Sequence, residues 1–420
     1  MFLLLAIYGA INAIAYSCLL PLWEGFDEIY HYGYVQFLST NLRLPVLGRD
    51  VLSREIWQSL QYQPVSHYLQ PFTGAPLNFT DYFAKSREER GRLRQQIESI
   101  PAGEKFQPQA DKPNYELNQS PLPYFPMAAV DRVLLNQTLP TRVLWIRIFS
   151  SLLAVLLIAH STFLLSKELK LPDEYSAAAL FCIFSSQMLY ATLCHVCNDA
   201  LAVALMGYLI WSAIRTAESG SSRDCLWLGL ATSAALLTKA YFLFLVPLAV
   251  GAIAWALWRK RASMAGALYV AGPIALLAGP WFVRNMVLYR DLSGTPQQSG
   301  GVGARQLLQA ALDLPWRESI VSMAHSSLWT GNNSFTAFST KTLDFMLLLV
   351  AVALALYFMR AKSQIAEWTI AGFSMACIPL SLYDAASASL LRCRKSGSDT
   401  VAPNWYDAKR LAGSRRSDNA

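Results

Sequence analysis

The chain has 420 residues, 54% of them hydrophobic and 15% charged, with 12 Trp, 19 Tyr and 20 Phe, a composition that excludes an ordinary soluble domain. Its net charge of +7 would suit nucleic acid in a soluble protein. Here much of the basic excess falls in short loops between apolar runs, where it sets topology, so no nucleic-acid partner is expected.

Apolar runs recur at close to the roughly 20 residues needed to cross a bilayer, which predicts an all-α polytopic membrane protein of about nine transmembrane helices. The runs lie near residues 2–22, 143–166, 174–193, 198–214, 225–238, 240–258, 264–283, 343–360 and 364–389. The first has no basic leader and no small-residue cleavage site, so a retained span is expected. The long first external loop, 23–142, is expected to carry interfacial helices. In DEIYHYGYVQFLSTNL, the residues Ile29, Tyr30, Tyr34, Phe37 and Leu38 fall at helical spacing, which suits an amphipathic helix along the interface. KSREERGRLRQQIESI, 85–100, reads as a charged, solvated helix. QSPLPYFPMAAV, 119–130, sets three prolines among aromatics and predicts a fixed irregular segment before the second span. The run at 225–238 is short and predicts a tilted span, or a hairpin with the next run whose tip carries Lys239.

Lys167 and Lys170, Arg215 and Arg223, Arg259 to Arg261, and Arg360 and Lys362 all fall on one side if the spans alternate, which makes that side cytoplasmic. The opposite side then receives the loops 23–142 and 284–342, the turn His195 to Asn198 and the tip at Lys239. Seven scattered cysteines imply no disulfide framework. CHVC, Cys194 to Cys197, is a close pair without the second half that a metal site needs.

Asp27 and Glu28 follow the first span, with His31 one helical turn after Asp27 and on the same face. A partly desolvated carboxylate there can act as a general base, although acids also favour helix N-termini for their dipole. Asp27 and His31 could equally form half of a metal site whose other half is not evident. Asn198 and Asp199 open the fourth span, where capping explains Asn198 better than Asp199. Lys239 and Arg284 either snorkel to headgroups or hold a lipid phosphate, the first as a point charge and the second as a bidentate fork. No Walker A loop, GxSxG elbow, HExxH or dinucleotide fingerprint occurs, and GVGARQ near residue 301 reads as loop.

WEGFDEIYHYGYVQFLSTNLRLP, SPLPYFPMAAV, CNDALAVAL, ALLTKAYFLFLVPL and AGPWFVRNMVLYRDL, in this order, resemble the GT-C superfamily of integral-membrane glycosyltransferases. The likeness is to bacterial relatives of the protein O-mannosyltransferases and aminoarabinose transferases, over residues 1 to 345. The resemblance implies a GT-C-like transmembrane domain over 1–390, with external loops 23–142 and 284–342. It also implies an inverting transfer from a polyprenyl-phosphate sugar to a glycan, lipid or protein acceptor on the outer face of a bacterial inner membrane.

Carried over by motif, Asp27 is the catalytic base and Glu28 its neighbour, with Lys239 and Arg284 near the lipid phosphate. Asn198, Asp199, His31 and Tyr124 complete the expected substrate-binding set. No cofactor is certain; a divalent metal is left open. The polar basic tail, 391–420, departs from relatives that continue with further spans and is expected to mark a shortened chain. A flippase for a lipid-linked substrate and a non-catalytic cell-envelope assembly protein are the alternatives.

Overall fold

The computed structural model describes residues 1–25, 27–66, 69–294, 309, 312–328 and 339–360. In chain order the helices are α1 (Phe2–Leu19), α2 (Glu28–Asn41), α3 (Arg54–Ser59), α4 (Gln70–Thr73), α5 (Phe79–Ala84), α6 (Arg87–Glu98), α7 (Tyr124–Val133) and α8 (Leu139–Glu168). They continue with α9 (Asp173–Ser185), α10 (Gln187–Leu193), α11 (Asp199–Ser219), α12 (Ser222–Leu236), α13 (Val246–Trp258), α14 (Met264–Pro273), α15 (Gly279–Tyr289), α16 (Trp316–Leu328) and α17 (Thr340–Arg360). Among the described residues one small antiparallel sheet pairs β1 (Val51–Ser53) with β2 (Pro108–Pro113), so the described chain is mostly rather than wholly helical.

Among the described residues, five helices are long and apolar enough to cross a membrane: α1, α8, α11, residues 240–258 around α13, and residues 264–289 across α14 and α15. The pair α9 and α10, bent by 62° at Ser186, makes a sixth if it is one span. The chain is therefore a helical integral-membrane protein. Of the remaining expected spans, 225–238 falls on α12, whose 15 residues rise only about 22 Å and fall short of a bilayer core. Residues 343–360 lie within the helix α17. The run at 364–389, the tail 391–420 and GVGARQ lie outside the described residues.

At Pro273 the missing N–H and the ring break the regular ladder, and a π-helical turn, Ile274–Ala278, joins α14 to α15. The basic turns meet at one end of the bundle. Arg215 pairs with Glu168 at 3.2 Å and with Asp224 at 2.8 Å, and Arg261 donates to the Ala217 carbonyl at 3.1 Å. Gly220 ends α11 at φ +61, where a Cβ would stand 2.4 Å from the Arg261 backbone, so both its conformation and the close approach require glycine.

Residues 27–133 form a lobe built around α2 at one end of the bundle. The expected amphipathic, interfacial helix is instead buried on every side from Glu28 to Gln36. Its apolar spacing is real, but Tyr32 and Gln36 on the other faces are also covered, because α3, α7 and the sheet wrap the helix. Arg142 of α8 anchors the lobe, pairing with Glu55 and, at 3.4 Å, with Asp131, which also accepts from Tyr32 at 3.0 Å. The solvated helix at 85–100 forms as α6, with a capping box between Ser86 and Glu89.

The irregular segment forms over 119–123, while α7 starts at Tyr124 and accommodates Pro126 in its first turn. Leu122 N–H donates to Leu237 O at 3.0 Å and Ser120 Oγ to Leu236 O at 3.0 Å, which ties the lobe to the end of α12. Past that end the chain turns at Lys239 into a 3-10 segment, Ala240–Leu245, giving the hairpin tip expected from the short run.

Candidate functional site

A cavity of about 330 Å³ lies where the lobe meets the bundle, at the ends of α11 and α12 away from the basic turns. Asp27 and His31 line one wall, the segment from Tyr115 to Ser120 a second, and Asn198, Asp199, Lys239 and Tyr241 the third.

Asp27 is the residue before α2, and its carbonyl accepts from Tyr30 N–H at 2.9 Å and His31 N–H at 3.0 Å. Its side chain makes no capping bond and instead accepts from the Tyr115 hydroxyl. Helix capping therefore does not account for this carboxylate, which is left to the cavity. Burial first, and then the Asp27 charge, push the Tyr115 phenol far above its ordinary value, so it stays a donor.

Asn198 caps α11 without a side-chain bond either; its amide donates to Gln119 Oε1 at 3.1 Å across the cavity. Asp199 holds Lys239 Nζ at 2.5 Å. Burial opposes the Lys239 charge, but the Asp199 carboxylate outweighs it and raises the pKa.

His31 Nδ1 lies 2.7 Å from the Tyr124 hydroxyl, and Tyr124 stacks on Tyr34 at 4.1 Å between centroids. Burial pushes the imidazole down to about 3, so it is neutral at physiological pH. Tyr124 itself lies behind His31 rather than on the cavity wall.

Two expected site residues lie elsewhere. Glu28, adjacent to Asp27 but about 100° around the helix, is fully buried against Arg147 of α8. Arg284 of α15 does not border the cavity. It donates to Pro45 O at 2.5 Å and stacks over Trp281 at 4.8 Å, while its Nη1 is buried without a hydrogen-bond partner among the described residues. Only two residues along, Leu47 lines the cavity and donates its N–H to Tyr289 at 3.0 Å, so Arg284 stands behind that wall.

Sequence reasoning missed Tyr115, Glu116, Asn118 and Gln119, which come from a 3-10 turn, Tyr115–Asn118, and the residue after it. Asn114 sets this turn in place, accepting from Glu116 N–H at 2.9 Å and donating to Tyr30 O at 2.8 Å. Gly33 makes room for it, since a Cβ there would stand 2.8 Å from the Asn114 amide.

Among the described residues no group of three or more His, Cys, Asp or Glu side chains is arranged to hold a metal ion. Asp27 accepts from Tyr115 through one oxygen and His31 Nδ1 meets Tyr124, which leaves the other Asp27 oxygen and His31 Nε2 outside these bonds. No family model, curated protein or solved structure matches this chain. What the cavity can do therefore rests on its own groups: a carboxylate free of capping, a buried carboxyl, a neutral imidazole and an Asp–Lys pair.

Proposed function

We propose that the chain is a membrane glycosyltransferase, moving a sugar from a polyprenyl-phosphate donor to a glycan, lipid or protein acceptor with inversion. The observation that carries this reading is the uncapped Asp27 carboxylate facing the Asp199 and Lys239 pair across one cavity at the membrane boundary. The motif order described above supplies the donor class.

Asp27 takes the proton of the acceptor hydroxyl as its oxygen attacks the anomeric carbon. Tyr115 holds one carboxylate oxygen and so orients the other. The departing phosphate gathers negative charge, and Lys239 at the tip beyond α12 is the cavity's cation for it. A single displacement inverts the anomeric carbon, in contrast with the two-step retaining route. Glu28 serves here as a fixed anchor beside the base rather than as a second base, and Arg284 supports the Leu47 wall. Basic turns at the other end of the bundle support an outer-face cavity, and the motif order supports a bacterial inner membrane.

Asp27→Asn, produced at wild-type level, is expected to lose transfer from polyprenyl-phosphate sugars by at least about a hundredfold. Transfer at the wild-type rate would sink the mechanism. A flippase is the second reading, favoured by the 62° break between α9 and α10. Movement of a lipid-linked sugar across reconstituted vesicles without any transfer would select it.

A further inference from the structure

Glu116 is a carboxyl on the cavity wall whose surroundings, among the described residues, contain no free counter-charge. Its residue exposure is 7% and its Oε2 has no hydrogen-bond partner among the described residues. A buried carboxylate stays charged only beside a cation or several donors. From α2, His31 Nδ1 is 3.8 Å away, beyond hydrogen-bond range, and is engaged by the Tyr124 phenol of α7 at 2.7 Å. From the tip beyond α12, Lys239 is already held by Asp199 of α11. Asp27 adds a like charge, with one of its oxygens held by Tyr115.

We propose that Glu116 works in this cavity as an uncharged carboxylic acid, donating a hydrogen bond to an oxygen of the bound sugar and leaving Asp27 as the wall carboxylate that takes a proton. The proposal rests on the glycosyl-transfer reading. In the transfer step Glu116 keeps its own proton; the proton released by the acceptor hydroxyl goes to Asp27, and the electron pair of the broken anomeric bond leaves with the lipid phosphate.

Burial first, and the Asp27 charge second, push the Glu116 carboxyl up to about 8 against the opposing pull of Gln119 and Lys239. The contact with His31 is therefore one between a neutral acid and a neutral imidazole, not an ion pair. The same turn also presents Asn118, whose amide nitrogen is fixed on Gly294 O at 2.7 Å and whose Oδ1 has no partner among the described residues. One donor and one acceptor two residues apart match a hydroxyl group, which offers both. A fully charged wall would not discriminate in this way.

The test is infrared difference spectroscopy on the full chain in lipid nanodiscs, wild type against Glu116→Gln, from about pH 5 to about pH 10. Wild type is expected to carry a protonated-carboxyl C=O stretch that is missing from the variant and that fades as the pH passes about 8. Identical carboxyl regions at about pH 6 overturn the proposal. If Glu116→Gln fails to fold, the same stretch is read in wild type labelled with carboxyl-¹³C glutamate. Its absence at low pH is equally fatal.

Transfer kinetics supply the second reading, with the basic limb of the rate profile expected to move up by at least about one pH unit in Glu116→Gln. Transfer with the same basic limb in both proteins removes the Glu116 role and leaves glycosyl transfer standing. A protonated Glu116 in a protein that transfers no sugar removes the hydrogen bond to sugar together with the glycosyl-transfer reading.

Discussion

Arg147 reaches back 119 residues to hold Glu28, donating from Nε to Oε1 at 2.7 Å and from Nη2 to Oε2. The same guanidinium donates to Leu20 O at 2.7 Å and Pro21 O at 2.8 Å, gripping the end of α1. Glu28 in turn accepts from Trp23 N–H at 3.1 Å and from Val196 N–H at 2.9 Å. One buried ion pair thus joins α1, α2, α8 and the turn before α11, and it sets Asp27 opposite Asn198 and Asp199. Trp23 sits in the left-handed region at φ 65, a conformation that a bulky residue holds only where the surroundings enforce it.

Breaking this pair on one side is expected to destabilise the fold by about 3–5 kcal/mol, because it leaves a buried charge uncompensated. Glu28→Gln and Arg147→Met should each lower the thermal unfolding midpoint in detergent, and the double variant should recover part of the loss. A Glu28→Gln protein as stable as wild type would show that the pair is not closed.

The Asp199 and Lys239 pair should behave differently, because its side chains are 38% and 23% exposed. Lys239→Met is expected to change stability by no more than about 1 kcal/mol while lowering transfer by at least about tenfold. Loss of stability in parallel with activity would count against a role for Lys239 at the leaving phosphate.

Folding stability should depend on pH through Glu116. Its carboxyl is raised to about 8 in the folded chain against 4.5 when exposed, so the folded state retains a proton that the unfolded state releases. This contribution is fully present below pH 4.5 and is lost as pH rises to about 8. Glu116→Gln is expected to flatten the decline over that interval in thermal unfolding curves. A curve that keeps its slope in the variant assigns the decline to other groups.

Arg142 anchors the lobe from the membrane side through Glu55 and Asp131. Arg142→Ala should therefore loosen residues 27–133 before the bundle, by about 3–5 kcal/mol. Limited proteolysis should then cut near α6 at protease levels that leave wild type whole. Unchanged cleavage would mean that the sheet and α7 hold the lobe without Arg142.

Much of the site was legible because its residues close apolar runs. Asp27, Asn198, Asp199 and Lys239 each stand where hydrophobic periodicity stops, and alternation of spans puts them on one side. His31 followed from its spacing to Asp27. Glu28 misled through adjacency: neighbours on a helix diverge by about 100°, so the acid beside Asp27 points into the bundle. Glu116 and Asn118 carried no such signal, because a short 3-10 turn has no periodicity to read; the available hint was an Asn-rich, aromatic stretch, NYELNQSPLPY, just before a helix. The α2 face was misjudged for a related reason. Spacing identifies which residues are apolar, but only the lobe decides which polar ones are covered as well.

The tether from Ser120 to Leu236 spans 116 residues of chain. As the protein is synthesised, the wall carrying Glu116 can be held by Tyr30 and Asp27 of its own lobe, but its ties through Ser120 and Leu122 wait until α12 has emerged and returned to the lobe side. Loop closure over that length is slow compared with helix formation, so the cavity is assembled late, after most of the spans are in place. An interruption of synthesis or insertion before α12 would yield a folded lobe and four inserted helices or fewer, yet no enclosed cavity.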